Sequence, residues 1–414
     1  MSAGALPPAT VAGRQIRQLD PADGLEAELD LRLRAFGPIA AAERPSWIAA
    51  LEPAVADGRL FGVYDGPELI GSARFHDMRQ WWQGRSLPMA GVAGVKVAPE
   101  YRGQGIGKHL MTVLLEEIAR RGYPVSALYP VTAPIYRSLG WELAGAQFET
   151  VLPARSLGSL LPPDISTPAG ASTLRRATAD DAAEVIAVAG AVHAALRDCG
   201  PATRDVATVR HWLSDPDEFA YLADDGFVSY RWADGHHQIV VHRALAGSEQ
   251  TARAIWGVIS SHASMARTVR AFVGPSDPVS WLTREQDAQV SHRGRWMLRL
   301  VDAPAAIAAR GYPAAAQLTA ALRLEDRTRP ANSGLWTLAV SGGQGSLIPD
   351  GTAGRGRPPA AGAVTLGARG LAALYAGTPM TVLRRSGLAA GGDPAADADL
   401  DYAFAAEAFM PDYF

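Results

Sequence analysis

The sequence predicts a mixed α/β protein in which one α+β unit occurs twice and is followed by a different α+β domain. Three observations predict it. Residues 15–150 alternate short β-branched or aromatic runs with a strongly amphipathic helix, in the order strand, glycine-rich turn, helix, strand, which is an α/β crossover. The opening QIRQLDPADGLEAELDLRLRAF has the arrangement of LRRATADDAAEVIAVAGAVHAAL further on, a strand-like start and then a helix behind Asp. The last hundred residues follow another order of helix, strands and helix. The division expected is 1–152, a linker over 153–172 rich in Pro, Gly and Ser, then 173–303 and 304–414.

In the first unit, residues 60–64, 68–74 and 90–97 read as strands bounded by glycine. Residues 106–121 read as a helix, with Ile106, Leu110, Val113, Leu114 and Ile118 on one face. Gly122 stops it, Pro124 follows, and 125–129 form a short buried strand. In the last unit a helix is expected from Gly311, then strands at 335–340 and 363–366, a helix at 368–376, and a loop over 342–361.

Composition narrows the function. Of 414 residues 48% are hydrophobic and 20% charged, a globular balance. A net charge of −3 argues against a nucleic-acid partner. Cys199 is the only cysteine, which excludes an internal disulfide and a Cys-rich metal site. The N-terminus lacks the pattern of a signal peptide and no apolar run is long enough to span a bilayer, so a cytoplasmic protein without a membrane partner is expected. Of 39 basic residues only Lys96 and Lys108 are lysines, and both fall in one segment.

That segment is Val95-Lys-Val-Ala-Pro-Glu-Tyr-Arg-Gly-Gln-Gly-Ile-Gly-Lys108. Glycines let backbone N–H groups approach an anion, and the helix that follows adds the positive end of its dipole. Arg102 and Lys108 add charge. The glycines at 103, 105 and 107 fit neither the dinucleotide fingerprint nor the P-loop. They do fit R-x-x-G-x-G, and here the chain resembles the GNAT superfamily of N-acetyltransferases. Residues 122–141, GYPVSALYPVTAPIYRSLGW, narrow the resemblance to the Eis-like ("enhanced intracellular survival") acetyltransferases, as do the chain length, the second acetyltransferase-like half, a sterol-carrier-like last domain and the aromatic final residue.

The resemblance implies acetyl-CoA as cosubstrate and no metal. The backbone of Val95, Lys96 and Val97 would hold the pantetheine arm and the thioester oxygen. Arg102, Gly103, Gln104, Gly105, Ile106, Gly107 and Lys108 would hold the pyrophosphate, and Val131 and Thr132 would line the arm. Tyr136, in the Ile-Tyr-x-x-x-Gly-aromatic motif, matches the general acid. The carboxylate of Phe414 matches the general base. The acceptor implied is a small amine (aminoglycoside-like, polyamine, lysine or other), and the assembly a homo-oligomer, a hexamer. Aminoglycoside-acting relatives carry acids around the acceptor pocket; here Tyr413 stands before the final aromatic, and residues 34–40 carry none.

The C-terminus is unusual without any resemblance. Phe404, Phe409, Tyr413 and Phe414 are anchors for a docked end, with Met410 as filler. The second half has one glycine where the first has its loop, between a strand at 238–242 and Thr251, and is expected not to bind acetyl-CoA. His236, His237 and His242 have no metal-ligand motif, and Cys199 reads as a core or surface thiol. Tyr123 reads as structural, Tyr129 as a pocket residue, and Trp81-Trp82 as a loop that walls a pocket or contacts another subunit. Two rival readings stay open: a lipid- or ligand-binding module with a vestigial coenzyme site, and an enzyme that uses a longer acyl-CoA.

Overall fold

The first hairpins follow from their turns. Strand Leu60–Asp65 folds back on Glu68–Trp82, with Asp65 opposite Glu68 and Gly66 at φ 59. Glu68–Trp82 in turn pairs with Arg85–Val97 through a two-residue turn, Gln83 (φ 50) and Gly84 (φ 81). Two positive φ angles are what a tight hairpin of native twist needs. Trp81 and Trp82 therefore end a 15-residue strand and are not the loop expected. Trp82 is fully buried and donates from Nε1 to Gln80, while Trp81 donates to Thr203 in the second half.

Helix Ile106–Arg120 lies where its apolar face requires, with Ile106, Leu110, Val113, Leu114 and Ile118 buried. Gly122 ends it at φ 78 and Tyr123 packs edge-on to Phe75. The helix connects Arg85–Val97 to the parallel strand Val125–Leu128. In the second half, strand Gln238–Ala246, helix Glu249–Ser260 and strand Thr268–Ala271 repeat this crossover with the same parallel pairing.

The two halves share one sheet of 14 strands among the described residues, 9–11, 13–23, 25–160, 173–350 and 362–414 of a computed structural model. They exchange their last strands. Gln289–Leu300, from the second half, pairs with Val125–Leu128 of the first, while Glu142–Pro153, from the first, pairs with Thr268–Ala271 of the second. The exchanged strands also pair with each other. Met297 and Val301 are thus buried in the first core, and Leu152, Ala154 and Leu157 in the second. The beginning of the expected linker, residues 153–160, is a packed 3-10 turn (Ala154–Ser159) and its neighbours; residues 161–172 lie outside the described residues.

The last domain is a five-stranded sheet with helices against it. The helix expected from Gly311 is instead strand Leu318–Glu325, at the centre of that sheet, and the helix lies earlier, at Ala303–Ala309. Its alanine and leucine content favours helix, but burial of Leu318, Leu322 and Leu324 between neighbouring strands outweighs propensity. Part of the expected loop, Gln344–Pro349, is a strand of the same sheet, and residues 351–361 lie outside the described residues. Strands Gly334–Ser341 and Val364–Gly367 and helix Ala368–Tyr375 occupy their expected places.

One core joins this domain to the first. Met78, Trp82, Leu87 and Met89 on the underside of the first sheet pack with Tyr312, Tyr375 and Phe404. At its centre Arg310 is wholly buried, with its guanidinium 5.4 Å from the Trp82 ring and 4.9 Å from that of Tyr375. It donates to the carbonyls of Tyr375 and Phe404. No helix among the described residues is long and apolar enough to cross a membrane.

Candidate active site

Strand Arg85–Val97 parts company with its parallel neighbour. Only Met89–Val92 pair with Val125–Leu128. Beyond Val92 the strand stays with Glu68–Trp82, through a bulge at Ser72/Arg74 beside Gly94 (φ 62), up to the pair Gly71–Val97. The other edge of Ala93–Val97 has no strand partner among the described residues. Unpaired backbone donors and acceptors at such an edge are a template for an extended ligand. Val95 and Val97 pack toward the core around helix Ile106–Arg120. Lys96 points to the opposite face, buried against Glu28 with Nζ–Oε1 at 2.5 Å. Burial pulls the Lys96 ammonium below its ordinary value, and Glu28 offsets part of that. Of the two lysines in the motif, only Lys108 has its side chain exposed at the loop.

The loop is an anion cradle. The N–H groups of Gly103, Gln104, Gly105, Ile106 and Gly107 have no acceptor among the described residues; the next, of Lys108, donates to Gly105 O. Gly103 and Gly105 stand at φ 79 and 77, a left-handed backbone that other residues adopt at a cost. A Cβ at Gly103 would meet nothing within 4 Å, so these glycines serve backbone shape and access. At Gly107 a Cβ would lie 3.1 Å from Ile135, which sets the helix close to Ala133–Ser138. Arg102 braces the loop, donating to Val97 O and Ala35 O. The Ile106 side chain is in the core, so only its N–H faces the cradle. In the second half Ser248 takes the position before the helix, and its own side chain accepts from Thr251 N–H.

Across the opening, Val131 is 84% exposed and Thr132 exposed, directly after Val125–Leu128 and before helix Ala133–Ser138. Tyr136 on that helix is buried, and its hydroxyl makes no hydrogen bond among the described residues. Burial pushes its pKa up to about 12.

The chain terminus threads between the halves to this place. Phe409 N–H donates to Cys199 O and Met410 N–H to Ala146 O. Tyr129 Oη donates to the carbonyls of Met410 and Asp412, and Gln147 to that of Pro411. Asp412 pairs with Arg243. Phe404 and Met410 are fully buried, whereas Tyr413, expected as an anchor, is 66% exposed and reaches inward only to lay its ring, tilted by 36°, 4.6 Å from that of Tyr129. Phe414 ends against the splayed strand. A Cβ at Gly91 would lie 2.9 Å from its ring, and Tyr129 and His76 meet the ring edge-on.

Sequence reasoning missed the polar face around that ring. Arg204 stands 5.3 Å from the ring centroid. Burial, with Arg204, Arg74 and Arg59 nearby, lowers the His76 pKa to about 2 and keeps the imidazole neutral. Arg74 and His76 share the strand face opposite Phe75, so a charged residue within an apolar strand was a signal; nothing local marked Arg204. The other expectations divide. Cys199 is a buried thiol with its pKa raised by burial, and His242 pairs with Glu218 at 2.9 Å. Trp82 is a core residue, and Trp81 packs on His193 and Thr203 of the second half.

Residues 15–144 match the model of an acetyltransferase (GNAT) domain, residues 200–300 that of another acetyltransferase (GNAT) domain, and residues 303–410 that of a sterol carrier protein domain. A GCN5-related N-acetyltransferase from Kribbella flavida is 44% identical over 97% of this chain and 98% of its own, with a TM-score of 0.88. Eis1 from Mycobacterium abscessus is 25% identical over 96% of this chain and all of its own (100%), with a TM-score of 0.75. N-acetyltransferase Eis from Mycobacterium tuberculosis is 28% identical over 271 residues, 61% of this chain and 65% of that protein, so the match spans just under two thirds of this curated relative. Likeness over nearly the whole of both chains, and three domains in the expected order, place this chain among the GCN5-related N-acetyltransferases, in the Eis-like arrangement that ends in a sterol carrier protein domain.

Proposed function

We propose that the protein transfers the acetyl group of acetyl-CoA to a primary amine by direct attack. The observation that carries this reading is the run of five N–H groups without an acceptor among the described residues, Gly103 to Gly107, beside a strand edge left open by the splay after Val92. Acetyl-CoA supplies the activated acyl group. Gly103–Lys108 hold its pyrophosphate, with Arg102 bracing the loop. The free edge at Val95, Lys96 and Val97 holds the extended arm and polarises the carbonyl oxygen, and Val131 and Thr132 flank the arm. Ile106 contributes only backbone.

An alkylammonium with a pKa near ~10 must lose a proton before it attacks. The Phe414 carboxylate, delivered by the docked terminus, takes that proton. The departing thiolate needs one in return. Tyr136, kept protonated by burial, supplies it. The second half, whose helix start is capped by Ser248, serves as a wall and strand donor and not as another coenzyme site. Cytoplasmic location and a homo-hexamer complete the reading by resemblance to Eis-like enzymes; mass measurement in solution tests the assembly.

The test is CoA release from acetyl-CoA across a panel of amines, with a variant extended beyond Phe414 alongside. Turnover that the extension abolishes, with acetyl-CoA affinity retained, supports the terminal base. Full activity in the extended variant assigns the proton to another group. If acetyl-CoA does not bind, the enzyme reading fails and the ligand-binding module replaces it.

A further inference from the structure

Along Glu68–Trp82, Ala73 and Phe75 enter the core under helix Ile106–Arg120, whereas Arg74 and His76 face the other way, toward Phe414. On that face two cations have no ionic partner among the described residues. Arg74 makes no hydrogen bond or ion pair among the described residues, and its Nε is fully buried and unsatisfied. Arg204 likewise makes neither, although its guanidinium lies over the Phe414 ring. The acids nearby are engaged elsewhere, Glu28 by Lys96, Asp412 by Arg243 and Asp205, next to Arg204 in the chain, by Thr208. Burial disfavours the charge on both arginines, and Arg204 adds repulsion at Arg74. His76 is neutral and offers no charge.

Half-buried guanidinium groups without a counter-ion carry a cost that an anion joining them would relieve, and Arg presents the planar fork that suits a carboxylate. Arg204 also lines a cavity of about 530 Å³ between the second half and the C-terminal segment, whose walls include Val209, Trp212 and Phe227 and the acids Asp277 and Glu407. The site thus offers a base at Phe414, Arg204 against its ring, Arg74 within electrostatic reach, and a recess behind with a largely apolar wall.

We propose that the acceptor is an amine that also carries a carboxylate, bound by Arg204 and Arg74 with its apolar part in the cavity. This rests on the acetyltransferase reading above. The acceptor's N–C bond to the acetyl carbon forms and the C–S bond breaks. The ammonium gives one proton to the Phe414 carboxylate before attack. The departing thiolate takes the proton of Tyr136, and the second proton shed by the attacking nitrogen restores that phenol. The proton on Phe414 is released to water, and the acceptor's own carboxylate is unchanged. A polycation would meet the two arginines as repulsion.

The test compares kcat/KM for phenylalanine, phenylalaninamide and phenethylamine, read as CoA release, with acetyl-CoA binding measured by calorimetry. The three share one ring and differ at the carboxylate. The expected result is that phenylalanine exceeds both others by about tenfold or more, the scale of a charge-assisted contact. Arg204→Met should lower the rate for phenylalanine far more than for phenethylamine, and Arg204→Lys should restore part of the difference. Equal or better turnover of the amide or of phenethylamine overturns this inference and leaves the acetyltransferase reading standing. So does binding of acetyl-CoA with turnover of none of the three. Failure to bind acetyl-CoA overturns both.

Discussion

The phenol of Tyr129 donates to the backbone carbonyl of Asp412 across 3.0 Å and to that of Met410 across 3.1 Å, which ties the last residues of the chain to the end of a strand in the first half. A base carried by a chain terminus is only as well placed as the terminus is held. Tyr129→Phe keeps the ring against Phe414 and removes both hydrogen bonds. Loss of about 1 kcal/mol of positioning predicts a fall in kcat of roughly fivefold, with acetyl-CoA affinity unchanged. Steady-state kinetics with calorimetry checks it, and an equal loss in coenzyme affinity would assign Tyr129 to the coenzyme arm.

Tyr136→Phe removes the proposed acid while retaining the buried ring. A fall in kcat of about a hundredfold is expected, at the lower end of what general acids contribute. The sign of the pH effect follows from the raised pKa. With a value of about 12, the phenol keeps its proton through pH 10, so this group causes no alkaline loss of rate until pH approaches 12. A rate profile that falls with a midpoint near 10 and flattens in the variant would place the phenol in water.

Gly105 precedes its helix at φ 77. Gly105→Ala costs about 1–2 kcal/mol in that conformation or forces the loop to shift. The expected outcome is a rise of about tenfold in KM for acetyl-CoA, with the KM for the amine little changed. A matched rise in both would show that the loop shapes the acceptor side as well.

Arg310→Ala tests the joint between the first and last domains. It removes the buried cation from among four aromatic rings and leaves the carbonyls of Tyr375 and Phe404 without their donor. Those two losses predict about 3–5 kcal/mol of destabilisation in urea unfolding. A change below about 1 kcal/mol would mean that the domains hold without it.

Much of the coenzyme side was legible because it is local. The spacing of Gly103, Gly105 and Gly107 and the apolar stripe from Ile106 to Ile118 lie within one short stretch, and the structure sets them on the expected turn and helix. Errors came where distant strands decide. Leu318–Glu325 has helix-forming residues yet lies between two strands, and Trp81-Trp82 reads as a loop until Gln83-Gly84 is recognised as the hairpin turn. Phe414 was visible as an apolar terminus, but not the Gly91 surface that receives it.

By itself the sequence determined the backbone chemistry: which glycines free the loop's N–H groups, which helix follows, and that the terminus is too apolar to remain in water. Hydrogen-bond periodicity and side-chain patterning act over a few residues, so a linear reading reaches them. Only the tertiary structure decided the exchange of last strands between the halves, the burial of Lys96 against Glu28, and the meeting of Arg204 and His76 at Phe414, with Arg74 within electrostatic reach of Arg204. Arg74 and Arg204 are far apart along the chain. What brings them together is the pairing of strands and the packing of apolar faces, and the field they make near Phe414 depends on the burial that packing creates.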